Sequence, residues 1–159
     1  MAPRLLWITV WLAAYCCTAA LASDKHQAAH QTAAQVQFET ALRYEEGIGT
    51  APNPAKAMQW YARAARTGHA PAQNNLGALY SVQGHYPQAI YWYRLAAKKG
   101  NAHAQFNLGL LYELGRGLPK DLEKAQDCYK LAAAQGHWDA QYKLARLNDD
   151  DLPSLLSSP

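Results

Sequence analysis

The sequence predicts an all-α fold, a solenoid of antiparallel helical hairpins, because the same residues recur along the chain. The string Ala-Ala-x-x-Gly occurs three times and ends at Gly68, Gly100 and Gly136. A glutamine and two tyrosines recur at nearly the same interval, at Gln37, Gln73, Gln105 and Gln141, at Tyr44, Tyr80 and Tyr112, and at Tyr61, Tyr93 and Tyr129. A period of about 32 to 36 residues is typical of stacked helical repeats that share one core. Such an array favours a binding surface over a catalytic pocket.

Residues 1–22 are predicted to be a secretory signal peptide. Residues 1–4 carry one positive charge, residues 5–22 are uncharged and mostly apolar, and small residues precede the polar Ser23. This arrangement suits a signal peptidase, with cleavage after Ala22. The alternative is an uncleaved membrane anchor, because the uncharged stretch approaches the roughly 20 residues that span a bilayer.

Cleavage would leave Cys128 as the only thiol, so no intramolecular disulfide could form. The sequence also has no Asn-x-Ser/Thr glycosylation site. Export without either feature favours a periplasmic or secreted bacterial protein. Residues 23–32, rich in Ala, Gln and His, form an amino-terminal extension that either lengthens the first helix or stays loose.

Each unit is predicted to contain two helices joined by a turn. In the second unit, Leu76 and Tyr80 mark one apolar stripe, and Ala89 and Tyr93 mark another, at helical spacings of three and four. The glycine that ends each Ala-Ala-x-x-Gly string is expected to terminate a helix in the left-handed conformation.

The first and third units contain a longer turn with two glycines, 47–49 and 115–117. Asn53 and Asp121 follow these turns and are predicted to be helix N-caps. A phosphate-binding loop would need a preceding strand and a third glycine or a Gly-Lys-Ser/Thr ending, and the sequence has neither. The pattern therefore predicts structural turns.

The solenoid is predicted to cover residues 33–148, as about three repeats and a capping helix. Residues 142–146 begin a fourth unit whose second helix does not follow, so this helix is interpreted as the cap that a solenoid needs. Residues 149–159 are predicted to be a disordered acidic tail, because three acids at the carboxyl end of a helix oppose its dipole.

These residues resemble the Sel-one-like repeat family. The pattern Ala-x-Ala-Gln-x-Asn-Leu-Gly-x-x-Tyr occurs over 70–80 and again over 102–112, and the similarity continues through Gly115, Gly117, Asp121, Lys124, Ala125, Tyr129 and Gly136. The second unit has a shorter turn and is similar there to the tetratricopeptide repeat. The resemblance implies a right-handed superhelix in which the first helix of each unit lines the concave side and holds a partner protein or peptide.

The family also sets expectations about activity. Several members are exported proteins that scaffold or regulate other machines in the cell envelope. One branch, cysteine-rich and secreted, has been assigned penicillin binding and β-lactamase activity and carries a cysteine pair in every unit. This chain has no such pairs, so the resemblance does not transfer that activity.

No residue is predicted to act in catalysis, to bind a metal or to hold a cofactor. The formal net charge is only +3, and the basic residues are interspersed with acidic ones. Both features argue against nucleic-acid binding. His26 and His30 could share a helix face, but no third ligand is placed beside them. Cys128 takes the position of Trp60 and Trp92 in the other units, which predicts a packing role rather than a nucleophile.

The predicted partner-binding residues lie one and five positions after the repeated glutamine: Phe38, Leu42, Asn74, Ala78, Phe106, Leu110, Tyr142 and Arg146. These positions lie off the core stripe, and the resemblance puts them on the concave surface. The alternative is packing between neighbouring hairpins. If the residues bind a partner, replacing Phe106 by Ala together with Leu110 by Ser should abolish capture and barely change the melting temperature.

The function predicted from the sequence is an exported protein–protein interaction module, an adaptor or regulator in the bacterial cell envelope. The alternatives are a cell-wall-directed hydrolase or β-lactamase-like enzyme, and a purely structural spacer. An enzyme needs polar groups that converge in a closed pocket, whereas an adaptor needs an open groove with aromatic and aliphatic anchors.

Overall fold

The computed structural model describes residues 28–150, with side chains described for residues 28–147. The regular elements in this range are seven α helices: α1 (28–46), α2 (Pro54–Arg66), α3 (Ala70–Val82), α4 (Tyr86–Lys98), α5 (Ala102–Leu114), α6 (Leu122–Ala133) and α7 (Trp138–Asp150). Helices α1 and α2, α3 and α4, and α5 and α6 form three hairpins, and α7 packs against α6. The predicted all-α solenoid is confirmed.

The ends of the helices follow from local sequence. Asn53 and Asp121 cap α2 and α6, where their side chains each accept a hydrogen bond of 3.0 Å from the backbone N–H three residues later. Gly68, Gly100 and Gly136 adopt positive φ angles of 83 to 91°, as expected for helix-ending glycines. The sequence-based caps are confirmed.

Each hairpin closes around a tyrosine of its second helix. Tyr93 and Tyr129 are almost completely buried, and each packs over a glycine of the first helix. A Cβ atom on Gly77 would lie 2.8 Å from the Tyr93 ring, and one on Gly109 would lie 2.6 Å from the Tyr129 ring. The missing side chain therefore allows the two helices to approach closely.

The repeated glutamine connects one hairpin to the next. The side-chain amide of Gln73 donates to the carbonyl of Ala65, near the end of α2, at 3.0 Å. Gln105 and Gln141 donate to Ala97 and Ala133 in the same way, at 3.4 and 3.3 Å. Because Gln73 and Gln105 are buried, each bond gives a buried side-chain amide a partner on the preceding hairpin.

Both ends of the solenoid continue beyond the predicted limits. Residues 28–32 are helical, so within the described part the extension lengthens the first helix. Helix α7 runs to Asp150, two residues past the predicted end at 148. The predicted signal peptide and residues 151–159 lie outside the described range. Between residues 28 and 150, no helix is both long and apolar enough to cross a bilayer.

Candidate protein-interaction surface

The phenylalanines of the predicted binding rows lie between hairpins. The half-buried Phe106 ring is 5.5 Å from the ring of Tyr129 in its own hairpin and 4.7 Å from the ring of His137, which precedes α7. Phe38 makes the equivalent contacts, with Tyr61 and His69, two repeat intervals earlier in the chain. Each phenylalanine therefore joins its own hairpin to the next repeat.

The aliphatic members of these rows are packed as well. Leu42, Ala78 and Leu110 are half-buried at the edges of the apolar clusters. Most of the predicted partner-binding residues therefore pack between hairpins, which is the alternative to partner binding. Phe106 and Leu110 both pack against the apolar cluster of α6 and α7, so we now expect their truncation to lower the melting temperature. Partner binding by the rows stays a prediction.

The remaining three predicted residues have different surroundings. Asn74 is half-buried and takes part in a hydrogen-bond network with other asparagines. Tyr142 is 57% exposed and Arg146 is exposed, since no second helix follows α7 within the described residues. Residues of the capping helix are therefore exposed where the equivalent residues of the complete hairpins are half-buried, although the sequence pattern is the same.

The first helices also present a surface opposite their own second helices, which we call the first-helix face. It consists of the residues two and nine positions after the repeated glutamine: Glu39, Glu46, Asn75, Val82, Asn107, Leu114 and Lys143. Helical geometry places them roughly 140 to 160° around the axis from the small residue that the second helix covers. Val82 is 88% exposed and Leu114 is 53% exposed. In the resemblance stated above, the first helices line the concave side.

Carboxamide side chains line the middle of the first-helix face. The Asn107 amide donates to Asn74 Oδ1 at 3.0 Å, and the Asn74 amide donates to Asn75 Oδ1 at 3.2 Å. The chain of bonds links α3 to α5 and holds these side chains in position. A carboxamide carries a donor and an acceptor, the same groups as a peptide bond.

An ion pair lies at the carboxyl end of this face. Lys143 donates to the Glu113 carboxylate at 2.8 and 3.1 Å, and the hydroxyl of the buried Tyr129 donates to the same group. Burial acts to raise the pKa of Glu113, but the hydrogen bonds from Lys143 and Tyr129 outweigh it, and the pKa lies below its ordinary value. Glu113 therefore stays ionised and ties α7 to α5.

Two polar side chains that line a surface cavity have structural hydrogen-bond partners. A cavity of about 480 Å³ lies beside His69 and Lys99. However, His69 Nδ1 accepts from the Ala72 backbone at 3.2 Å, and Lys99 donates to the Gly68 carbonyl at 2.5 Å. Among residues 28–147, no three His, Cys, Asp or Glu side chains are grouped to hold a metal ion.

Cys128 has the environment of a packing residue. It is half-buried against the central apolar cluster, and burial raises the pKa of its thiol. The thiolate needed for nucleophilic attack is therefore disfavoured.

Two features of the surface were not predicted from the sequence. The sequence pattern points to the rows beside the first-helix face and not to the face itself, although Asn75 and Asn107 share a register there. The repeated glutamine marks the period of the sequence, but its bond to the preceding hairpin is visible only in the three-dimensional stacking.

Stacked helical hairpins with an open face define a class of repeat proteins, and comparisons identify the family. The profile of the Sel1 repeat matches residues 34–69, 70–101, 102–137 and 138–154. A protective antigen of uropathogenic Escherichia coli that displays an SLR fold is similar in structure, with a TM-score of 0.68, 38% identity, and coverage of 72% of this chain and 25% of the antigen. A Sel1 repeat protein from Oxalobacter formigenes has a TM-score of 0.67 and 31% identity, with coverage of 71% of this chain and 48% of that protein.

The chain belongs to the Sel1 repeat family. Among curated proteins, chitin synthase regulatory factor 3 of Schizosaccharomyces pombe is 40% identical over 62 residues, which cover 38% of this chain and 7% of that protein. This chain therefore spans less than half the length of each of these three relatives. Sel1 repeat proteins are in general protein-interaction modules and non-enzymatic scaffolds.

Proposed function

We propose that this protein is an exported adaptor or regulator of the bacterial cell envelope that binds a segment of a partner protein on its first-helix face. The observation that carries the proposal is the pairing of exposed Val82 and Leu114 with the ordered amides of Asn75 and Asn107. A single exposed valine needs no explanation. Val82 and Leu114, however, occupy the same register in adjacent units, and each lies on the same helix face as a carboxamide.

This combination suits an extended peptide. Apolar side chains of the partner would cover Val82 and Leu114, while its backbone N–H and C=O groups would pair with the carboxamides. The bonds that already hold Asn74 and Asn107 lower the entropic cost of ordering these side chains on binding. The charged pair of Lys143 and Glu113 limits the face at its carboxyl end.

The proposal of export depends on the leader. The uncharged stretch over residues 5–22 and the small residues before Ser23 support secretion. That pattern supports a periplasmic or secreted location. The Schizosaccharomyces pombe relative is, by its name, a regulatory factor of chitin synthase, which is consistent with a regulatory role for this chain.

Site-specific photocrosslinking in the native cell tests the binding face. A photoreactive amino acid at Val82 or Leu114 should capture one discrete partner in the exported fraction. The matched control is the same amino acid at Tyr91, which is 57% exposed but lies on the opposite side of α4 from the buried Tyr93. Equal capture from Tyr91, or no capture from either anchor, would refute the assignment of this face.

A further inference from the structure

The capping helix α7 exposes one continuous stripe, which we call the open α7 face. Trp138 is 71% exposed, Tyr142 is 57% exposed, and Ala145 is exposed. The three residues are spaced by four and three positions, so they lie on one side of the helix. Large apolar side chains grouped in this way mark an interaction surface more often than a solvated one.

The same register is covered in every complete hairpin. The positions equivalent to Ala145 are Ala41, Gly77 and Gly109, all buried in the described structure. The tyrosine of the second helix packs over Gly77 and Gly109 at ring distances that would exclude a Cβ atom. The open α7 face is thus the surface that receives a second helix elsewhere in this chain.

Helix α7 matches the first hairpin most closely. At one, four and eight positions after the glutamine, α1 carries Phe38, Ala41 and Glu45, and α7 carries Tyr142, Ala145 and Asp149, in each case an aromatic residue, an alanine and an acid. In the first hairpin this set receives Tyr61 of α2. The Tyr61 ring lies 5.7 Å from Phe38, and its hydroxyl donates to Glu45.

We propose that the open α7 face binds an amphipathic helix of another protein that carries the pattern Ala-x-x-x-Tyr-x-x-Ala, so that the fourth repeat is completed between two chains. All three second helices carry this pattern, at Ala57, Tyr61 and Ala64, at Ala89, Tyr93 and Ala96, and at Ala125, Tyr129 and Ala132. Each of these residues is at most 3% exposed. The pattern therefore describes the residues that a second helix buries against its first helix.

The helices of the described chain that carry the pattern are not free to act as this partner. Within residues 28–147, each helix with the pattern is already covered by its own first helix. Residues 151–159 contain no tyrosine. A folded second copy therefore offers no helix of this kind. The site is separate from the first-helix face and does not depend on the proposed function.

A peptide of residues 53–67, which contains α2 with its N-cap Asn53, is the probe for this site. Added to the isotope-labelled full chain, it should produce saturable NMR shifts confined to residues 138–147. Binding will be weak, because a short helix pays a nucleation cost on folding. Replacing Tyr61 by Ala in the peptide should weaken binding at least tenfold. Shifts that map elsewhere would overturn the proposal.

Matched variants of the protein complete the test. Ala145→Arg should weaken peptide binding at least tenfold, whereas Ala33→Arg, at an exposed position of α1, should leave it unchanged. Unchanged binding by the Ala145 variant would refute the proposal. A concentration-dependent dimer of the free protein that Ala145→Arg abolishes would also refute it, since a second copy would then be the occupant. Photocrosslinking from Val82 reports independently on the first-helix face.

Discussion

At the scale of single residues, the position before each later first helix is occupied by His69, Asn101 and His137 in turn, and the two histidines can make stability depend on pH. His69 caps α3 through Nδ1, Asn101 caps α5 through its carboxamide, and His137 holds the equivalent position before α7. Burial lowers the pKa of His69, helped by the charge of Lys99. Burial, helped by the neighbouring His103, lowers the pKa of His137 although Asp139 opposes it.

These lowered pKa values predict that stability falls in mild acid. The unfolded chain binds more protons than the folded chain once the pH drops below the unfolded histidine pKa of about 6.5, so the free energy of unfolding decreases from there until the folded pKa is passed. The melting temperature should therefore be lower at pH 5.5 than at pH 7.5. In the double variant His69→Asn with His137→Asn, which copies the cap of Asn101, the drop should shrink.

The reverse substitution provides a control for this prediction. Asn101→His places a third histidine at the same cap position and should deepen the acid-induced drop. If the double variant keeps the full pH dependence of the parent, the histidines are not its source.

At the scale of elements, an aromatic residue at the same register is packed in a complete hairpin and exposed in the capping helix. Phe106 contacts Tyr129 and His137 on two neighbouring elements, whereas Tyr142 occupies the same register with most of its surface in solvent. The helices that cover the position decide its energetic contribution, because burial and not residue type sets the transfer free energy.

Truncation should separate these two residues. Phe106→Ala removes a half-buried ring and should lower the free energy of unfolding by about 2 kcal/mol, less than the roughly 3 to 5 kcal/mol of a fully buried phenylalanine. Tyr142→Ala should change it by less than about 0.5 kcal/mol. Urea denaturation of both variants tests the difference, and equal destabilisation would contradict the proposed packing.

At the scale of the whole molecule, the repeats form one continuous array in which each hairpin depends on its neighbours. The glutamine bonds to the preceding hairpin and the phenylalanine contacts to the next one both cross repeat boundaries. Such coupling makes a repeat protein a stiff platform, which suits a scaffold. The ion pair of Lys143 with Glu113 extends the coupling to the capping helix.

The location of the whole chain leads to a further prediction. A fusion of residues 1–24 to a reporter that is active only outside the cytoplasm should be active, because the leader has the charge, length and cleavage site of a signal peptide. Amino-terminal sequencing of the mature protein should begin at Ser23. Membrane-bound protein that retains an intact leader would instead support the anchor.

The sequence by itself determined the repeat, the hairpins and their caps. These features depend on local chemistry: glycine tolerates a positive φ at Gly68, Asn53 accepts a backbone hydrogen bond, and apolar residues such as Ala89 and Tyr93 follow one another at helical spacing. A pattern that is local in the chain can be recognised without knowledge of what packs against it.

Only the tertiary structure decided which of the repeated positions are open. Phe106 and Tyr142 share a register, yet one is packed between hairpins and the other faces solvent, because burial depends on neighbouring helices that are distant in sequence. The same reason explains why Ala145 is exposed while Ala41 is buried. Periodicity fixes the direction of a side chain around its helix, but the presence of a covering helix is a property of the assembled array.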